Sequence, residues 1–246
     1  MKKILALYLT AMFLSSCAAS NNAQTNAATE TAEQLYQQGY KYLQKTSYDK
    51  AAQNFEKVEL EHPYSKWAVK SKLMGAYSYY KAEKYDDAVI ALERFIKFHP
   101  SNKDVAYAYY MKGLCYYNQI TPAQKDQSNT KKAKDAFTQL IVMFPDTEYA
   151  KDAKNKMNLI LDHIAGQEMS VGRYYLKNQN YLSAINRFNT VVANYQTTPQ
   201  IEEALYRQVE IYTIIGLNEQ ALKAYKILEH NYPKSKWYTK AKKIVK

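Results

Sequence analysis

Small and apolar positions along this chain return on a long period. Gly39 is followed by Tyr42, Ala51, Phe55, Val58 and Pro63, at +3, +12, +16, +19 and +24. The same offsets run from Ala76 through Tyr79, Ala88, Leu92, Phe95 and Pro100. They run from Gly172 through Tyr175, Ala184, Phe188 and Val191, and from Val209 through Tyr212, Ala221, Tyr225, Leu228 and Pro233. A fifth copy, Gly113 and Tyr116 followed by Ala133, Phe137, Leu140 and Pro145, fits once a longer internal loop is allowed. Strand-like alternation is scarce, so the pattern predicts an all-α chain of stacked helix–turn–helix repeats.

Each recurring position has a mechanical reason. A small residue at the first position and Ala at +12 let the two helices of a repeat cross closely. The aromatic or leucine at +16 fills the space beside that crossing, and Pro at +24 cannot continue the second helix. One helix pair cannot bury its apolar face alone, so the repeats must stack into a continuous core. The residue types resemble the tetratricopeptide pattern, and the expected fold is a superhelical array of about five such repeats. The tyrosines at +3 (Tyr42, Tyr79, Tyr116, Tyr175 and Tyr212) keep the repeat period, which marks them as packing residues. The steps 39 to 76, 76 to 113 and 172 to 209 are 37 residues each, longer than the roughly 34 of ordinary tetratricopeptide repeats. The connections carry candidate N-caps, Ser65, Asn102, Thr147 and Ser235.

Two irregularities break the period. Gly113 to Ala133 is twenty residues instead of twelve, and the excess falls in the polar stretch 119–131, which contains Pro122. Loops long for a compact domain tend to be functional, and this one is expected to touch a partner. Pro145 and Gly172 are 27 residues apart. Between Glu148 and Asn178 there is no Pro, and Met157, Ile160, Leu161, Ile164 and Met169 form an apolar face. This predicts one long helix, with Gly166 a candidate kink, joining an N-terminal lobe (32–145, repeats one to three) to a C-terminal lobe (146–246, the long helix and repeats four and five). The end of the chain, Ala241 to Lys246, reads as the charged tail of a final capping helix.

The N-terminus has a different character. Lys2 and Lys3 precede a mostly apolar run from Ile4 to Leu14, too short to span a bilayer, which takes about 20 residues. It ends in Leu14-Ser15-Ser16-Cys17, similar to the bacterial lipobox, in which the Cys is lipidated before cleavage. Residues 1–16 are therefore expected to be a lipoprotein signal peptide and Cys17 the lipidated first residue, held by several acyl chains. Ala18 rather than Asp follows the Cys, which by resemblance to Gram-negative lipoproteins favours the outer membrane, periplasmic face. Residues 17–31 are small, polar and aperiodic, the composition of a flexible tether, with a reach of roughly 20 Å.

Composition excludes more than it assigns. Lys+Arg 34 against Asp+Glu 23 gives +11. Losing Lys2 and Lys3 with the signal peptide leaves 32 basic against 23 acidic residues, a charge of +9. The lysines are scattered, not gathered into a patch, so nucleic acid is not an expected partner. With Cys17 used by lipid, Cys115 has no disulfide partner and is expected to be a buried, inert thiol. His62, His99 and His230 fall at the ends of second helices, where a partly charged imidazole suits the dipole, and no paired His stands at ligand spacing. Asp49, Asp86 and Glu219 sit near helix starts, where they cap. There is no Gly-rich phosphate loop and no metal motif. An enzyme is not expected, nor a cofactor beyond the covalent lipid.

Further stretches resemble one family. The run Val105-Ala106-Tyr107-Ala108-Tyr109-Tyr110-Met111-Lys112-Gly113-Leu114, together with Phe144-Pro145-Asp146-Thr147-Glu148-Tyr149 and Ala184-Ile185-Asn186-Arg187-Phe188, is similar to the BamD family. These are lipoproteins of the outer-membrane β-barrel assembly machinery. The resemblance spans the whole mature chain, although the loop around Asp126-Gln127-Ser128 is shorter than the family's. It implies a scaffold that binds a BamA-like β-barrel protein through its C-terminal repeats. It also implies that the N-terminal repeats receive C-terminal segments of unfolded outer-membrane proteins, with further assembly lipoproteins as additional partners. Carried onto this sequence, the partner side is the 119–131 loop (Asp126, Gln127, Ser128), Asn186, Arg187 and repeat five. The substrate side is a groove of repeats one and two with Tyr77, Tyr80 and Tyr85, aromatic and basic enough to take an extended segment ending in an aromatic residue and a carboxylate. Two other classes stay open: another repeat lipoprotein adaptor, such as a secretin pilotin, and a regulator of peptidoglycan enzymes. The 37-residue step and the long middle helix count against the pilotin.

Overall fold

The computed structural model describes residues 30–245; Cys17, the expected signal peptide and most of the expected tether lie outside them. Eleven α-helices and no strand are present among the described residues. Five antiparallel pairs follow one another: α1 (Ala32–Gln44) with α2 (Tyr48–Glu61), α3 (Lys66–Lys81) with α4 (Tyr85–Phe98), α5 (Val105–Tyr117) with α6 (Ser128–Met143), α7 (Glu148–Lys177) with α8 (Tyr181–Asn194), and α9 (Ile201–Ile214) with α10 (Asn218–Asn231). The last helix, α11 (Lys236–Ile244), closes the array by packing on α9 and α10. Each helix packs on the next in sequence, and the chain from Ala32 onward is one compact unit.

The repeat positions build the core as their sizes require. Ala51, Ala88, Ala133 and Ala184 are wholly buried, as are Phe55, Leu92, Phe137 and Phe188 four residues later. The fit between the first position and +16 is tight. A Cβ placed on Gly113 would lie 2.3 Å from Cε1 of Phe137, and Gly39 and Gly172 face Phe55 and Phe188 in the same way. Where the first position is Ala76, the partner at +16 is the smaller Leu92, also wholly buried. Where it is Val209, the partner is Tyr225, half-buried and turned out to hydrogen-bond Glu229 and Tyr238. Each buried Phe or Leu contributes about 2 kcal/mol of apolar transfer free energy.

Four of the five pairs turn through the same motif. The N–H of Ser47, Lys84, Asn180 and Leu217 donates to the carbonyl of Tyr42, Tyr79, Tyr175 and Tyr212, closing a Schellman turn at the end of the first helix. The residue before each donor, Thr46, Glu83, Gln179 or Gly216, takes positive φ. In the third repeat this turn is absent and the 119–127 excursion replaces it.

Ser65, Thr147 and Ser235 cap α3, α7 and α11 by accepting from Ala68, Ala150 and Trp237 N–H. Asn102 does not cap: its Oδ1 accepts from the N–H of Asp104, the residue at the cap position. Asp49, Asp86 and Glu219 lie in first turns, where they complement the dipole while Ser47, Lys84 and Leu217 hold the cap positions. His99 also departs from expectation. Burial first, and then Lys72 at 3.5 Å from its Nε2, hold its imidazole below the usual range, so it favours the neutral form.

The helix α7 is 30 residues long and continues through Gly166 without interruption. Up to Ile164 it contributes Ile160 and Ile164 to a core shared with α5 and α6, and from the next residue on it contributes Ala165 and Met169 to a core shared with α8 and α9.

Candidate functional site

Tyrosines converge where α3, α5 and the start of α7 meet. Tyr77 and Tyr80 lie three apart on α3, and Tyr107 and Tyr110 lie three apart on α5, so each pair shares a helix face. Tyr149 follows the N-cap Thr147 on α7, and Asp152 stands one turn further on. Tyr149 rests against Tyr107 (ring centroids 5.3 Å apart) and stacks on Tyr110 (5.4 Å). Tyr80 packs on Tyr85 of α4 at 5.9 Å and accepts a hydrogen bond from Asn118 Nδ2 at 3.1 Å. The three tyrosines expected in the groove are therefore brought together.

The phenols of Tyr107 and Tyr110 are held protonated. Burial pushes Tyr107 well above the ordinary tyrosine range, helped by the neighbouring Tyr77, Tyr149 and Tyr80. Burial does the same for Tyr110, reinforced by the hydrogen bond it donates to Asp152 Oδ2 at 2.5 Å. That bond, more than the Lys156 ammonium at 3.2 Å, holds the Asp152 carboxyl below its usual range. The charged groups on Tyr110's side are thus one acid and one base, where the sequence led to a basic groove. Flat rings with hydroxyl handles suit an extended polypeptide carrying aromatic side chains.

The expected partner residues separate into two places. Gln127 is 2% exposed and is not a contact residue. Its Nε2 donates to the carbonyls of Thr121, Pro122 and Lys125, and its Oε1 accepts from the Thr130 hydroxyl. It pins the loop from inside. Asp126 and Ser128 are exposed, and the Ser128 hydroxyl and N–H both donate to the Asp126 carboxylate, which lowers the pKa of that acid. Asn186 and Arg187 are exposed on α8 and line a shallow cleft of about 270 Å³ with Tyr175, Ser183 and Thr190. Arg187 pairs with Glu168 of α7 at 3.1 Å. The loop instead lies over Gly166, where a Cβ would meet Ala123 at 3.3 Å. Positions 166 and 168 point about 200° apart around a helix, so the loop and Arg187 use different faces of α7.

Tyr107, Tyr110 and Tyr149 were not singled out from the sequence as groove residues. A signal existed: six residues before the repeat's first position, Tyr107 stands where the other repeats have Glu33, Lys70, Gly166 and Glu203.

Reactive chemistry has little material here. Burial pushes the Cys115 thiol up to about 12, which leaves it an unreactive core group. Among the described residues no cluster of His, Cys, Asp and Glu could hold a metal ion, and no helix is long and apolar enough to cross a membrane.

Comparison with known proteins places this architecture. Residues 28–227 match the family model YfiO, described as outer membrane lipoprotein. The outer membrane protein assembly factor BamD of Rickettsia prowazekii is 44% identical over 245 residues, covering 100% of this chain and 97% of that one. The corresponding proteins of Caulobacter vibrioides and Neisseria meningitidis serogroup A are 38% and 34% identical, each over 98% of this chain and over 79% and 95% of their own length. Among solved structures, the TPR2AB domain–pHSP90 complex of yeast Sti1 aligns with 87% of this chain and 84% of its own, at a TM-score of 0.42 and 12% identity. With a family model matched over most of its length and relatives this similar from end to end, the chain belongs to the YfiO/BamD family of outer-membrane lipoproteins.

Proposed function

We propose that this protein is a non-catalytic scaffold of outer-membrane protein assembly, anchored by lipid on Cys17 to the periplasmic face of the outer membrane. Its working surfaces are the tyrosine groove, the exposed face of α8 and the separate face of the 119–131 loop. The groove of Tyr77, Tyr80, Tyr85, Tyr107, Tyr110 and Tyr149 receives extended segments of unfolded outer-membrane proteins. The observation that carries this reading is the packing of Tyr149 against Tyr107 and its stacking on Tyr110. It builds a part-exposed aromatic wall across two repeats, the kind of exposed apolar surface that marks a polypeptide contact. Asn186 and Arg187, with Asp126 and Ser128 on the separate loop face, contact a BamA-like β-barrel protein, and further assembly lipoproteins join the same complex.

The test is a mild-detergent pull-down of the full chain with cross-linking mass spectrometry. Cross-links from 119–131 or α8 to a large β-barrel protein, and from the tyrosine groove to unfolded outer-membrane proteins, support the reading. Recovery of a secretin or a peptidoglycan enzyme instead would keep the fold and overturn the function.

A further inference from the structure

A second cleft, of about 450 Å³, opens between the 119–127 loop, the middle of α7 and the start of α9. Gly166 is its floor, with Ala123 on one side and the Gln200 side chain on the other. Three residues that line this space carry acceptors without a partner among the described residues. Among the described residues Gln200 Oε1 and His163 Nδ1 are buried atoms with no hydrogen bond, and Asp162, part-exposed beside them, makes no ion pair. Buried polar atoms are nearly always satisfied, so two orphans lining one cleft call for a donor from outside. Gln200 holds the cap position of α9 without making a side-chain cap bond, so its carboxamide is not committed to the helix.

The local charge points to the donor. Arg173 lines the cleft but is neutralised by Glu203 at 3.1 Å, and Glu203 also holds Arg207. Asp162 is left as the uncompensated charge of the cleft, an acidic spot on a chain whose formal charge is +11. The loop that walls the cleft is rigid, because Gln127 ties three of its carbonyls together.

We infer that this cleft receives an arginine side chain from a polypeptide partner, its guanidinium donating to Asp162 and, as the two side chains turn towards it, to Gln200 Oε1 and to Nδ1 of His163 in the Nε2–H tautomer. A guanidinium supplies five N–H donors in a fixed plane, which matches a carboxylate flanked by two neutral acceptors better than the single point charge of lysine. The site is separate from the tyrosine groove and from Arg187. Its test reads the cleft itself, so it stands or falls independently of the assembly role.

The experiment titrates Nα-acetylarginine amide, and its uncharged citrulline counterpart, into the full chain in detergent micelles. The ¹⁵N and ¹H resonances of the His163 imidazole are the readout. The expected result is a saturable shift with the arginine compound and none with citrulline. Asp162→Asn should weaken that binding about tenfold or more, the effect of losing one charge-assisted hydrogen bond. Gln200→Leu, which breaks no cap, should weaken it too. A His163 signal that does not respond at saturating concentrations, responds equally to citrulline, or is unaffected by both substitutions would overturn the inference; the orphans would then be satisfied by water alone.

Discussion

The ring of Phe137 occupies the space that a side chain on Gly113 would need, with Cε1 2.3 Å from the position of the missing Cβ. Gly113→Ala should therefore cost about 2 kcal/mol through overpacking. Repeat two already contains the compensated version, Ala76 with Leu92. Adding Phe137→Leu should recover part of the loss, giving a coupling of about 1 kcal/mol in a double-mutant cycle. Denaturant midpoints of the four proteins decide it, and strict additivity would sink this account of the repeat.

Thr46 is a β-branched residue at φ 56° in a Schellman turn. Thr46→Gly should raise stability by about 0.5–1 kcal/mol, relief of left-handed strain outweighing the entropy that glycine loses on folding. Gly216 already fills the matching place in repeat five. Thermal melting checks the sign, and a fall in Tm would show that the strain is negligible.

Removing the Gln127 carboxamide takes a donor from three loop carbonyls, of which that of Pro122 keeps the Lys125 N–H. Gln127→Ala should loosen residues 119–127 by about 2 kcal/mol while leaving the helices intact. Limited proteolysis reports it: cleavage should become concentrated in the loop, with circular dichroism unchanged.

Arg187→Glu sets two acids against each other where Arg187 now meets Glu168. The pair is largely exposed on the Arg187 side, so folding stability should change by less than about 1 kcal/mol. Yield of the complex with the barrel protein should fall sharply. Normal yield from a folded variant would remove Arg187 from the partner surface.

The Tyr110–Asp152 bond links the groove to pH. Asp152 is held below its usual range in the folded protein, so its contribution is present above the unfolded value of about 3.9 and is lost as pH falls through the lower folded value. Tyr110→Phe should therefore be less stable than the parent at neutral pH. The gap should narrow as the medium is acidified below about pH 4. Urea melts at neutral and acid pH check it, and a gap that widens on acidification would refute the assignment.

What was legible in the chain was whatever the repeat writes several times. Gly39 and Gly172 each announce a Phe sixteen residues on, and Gly113 one twenty-four residues on across the longer loop, because close helix crossing leaves a ring-sized space, and this physics is local to one pair. The long helix was legible for a similar reason, since an apolar face without Pro has few other outcomes. The 119–131 loop was visible only as excess length. Its order depends on Gln127 folding back onto carbonyls two to six residues away, and periodicity carries no trace of that. Gln127 was accordingly read as a contact when it is an internal tie. The groove was half visible: Tyr77, Tyr80 and Tyr85 belong to one repeat, whereas Tyr149 reaches Tyr107 and Tyr110 only once α5, α6 and α7 are stacked.

The unbroken α7 sets a fixed interval on the surface of the molecule. From Tyr149 at the groove to Gly166 under the arginine cleft is seventeen residues, about 25 Å along the helix axis. No hinge, turn or loop intervenes. A polypeptide that placed an aromatic residue among the tyrosines and an arginine in the cleft would need at least about seven or eight extended residues between them, since the two places also lie roughly 100° apart around the helix. One polypeptide bound at both proposed sites would thus be selected by length as well as by chemistry, and a helical segment of that size, at roughly half the reach, would fall short.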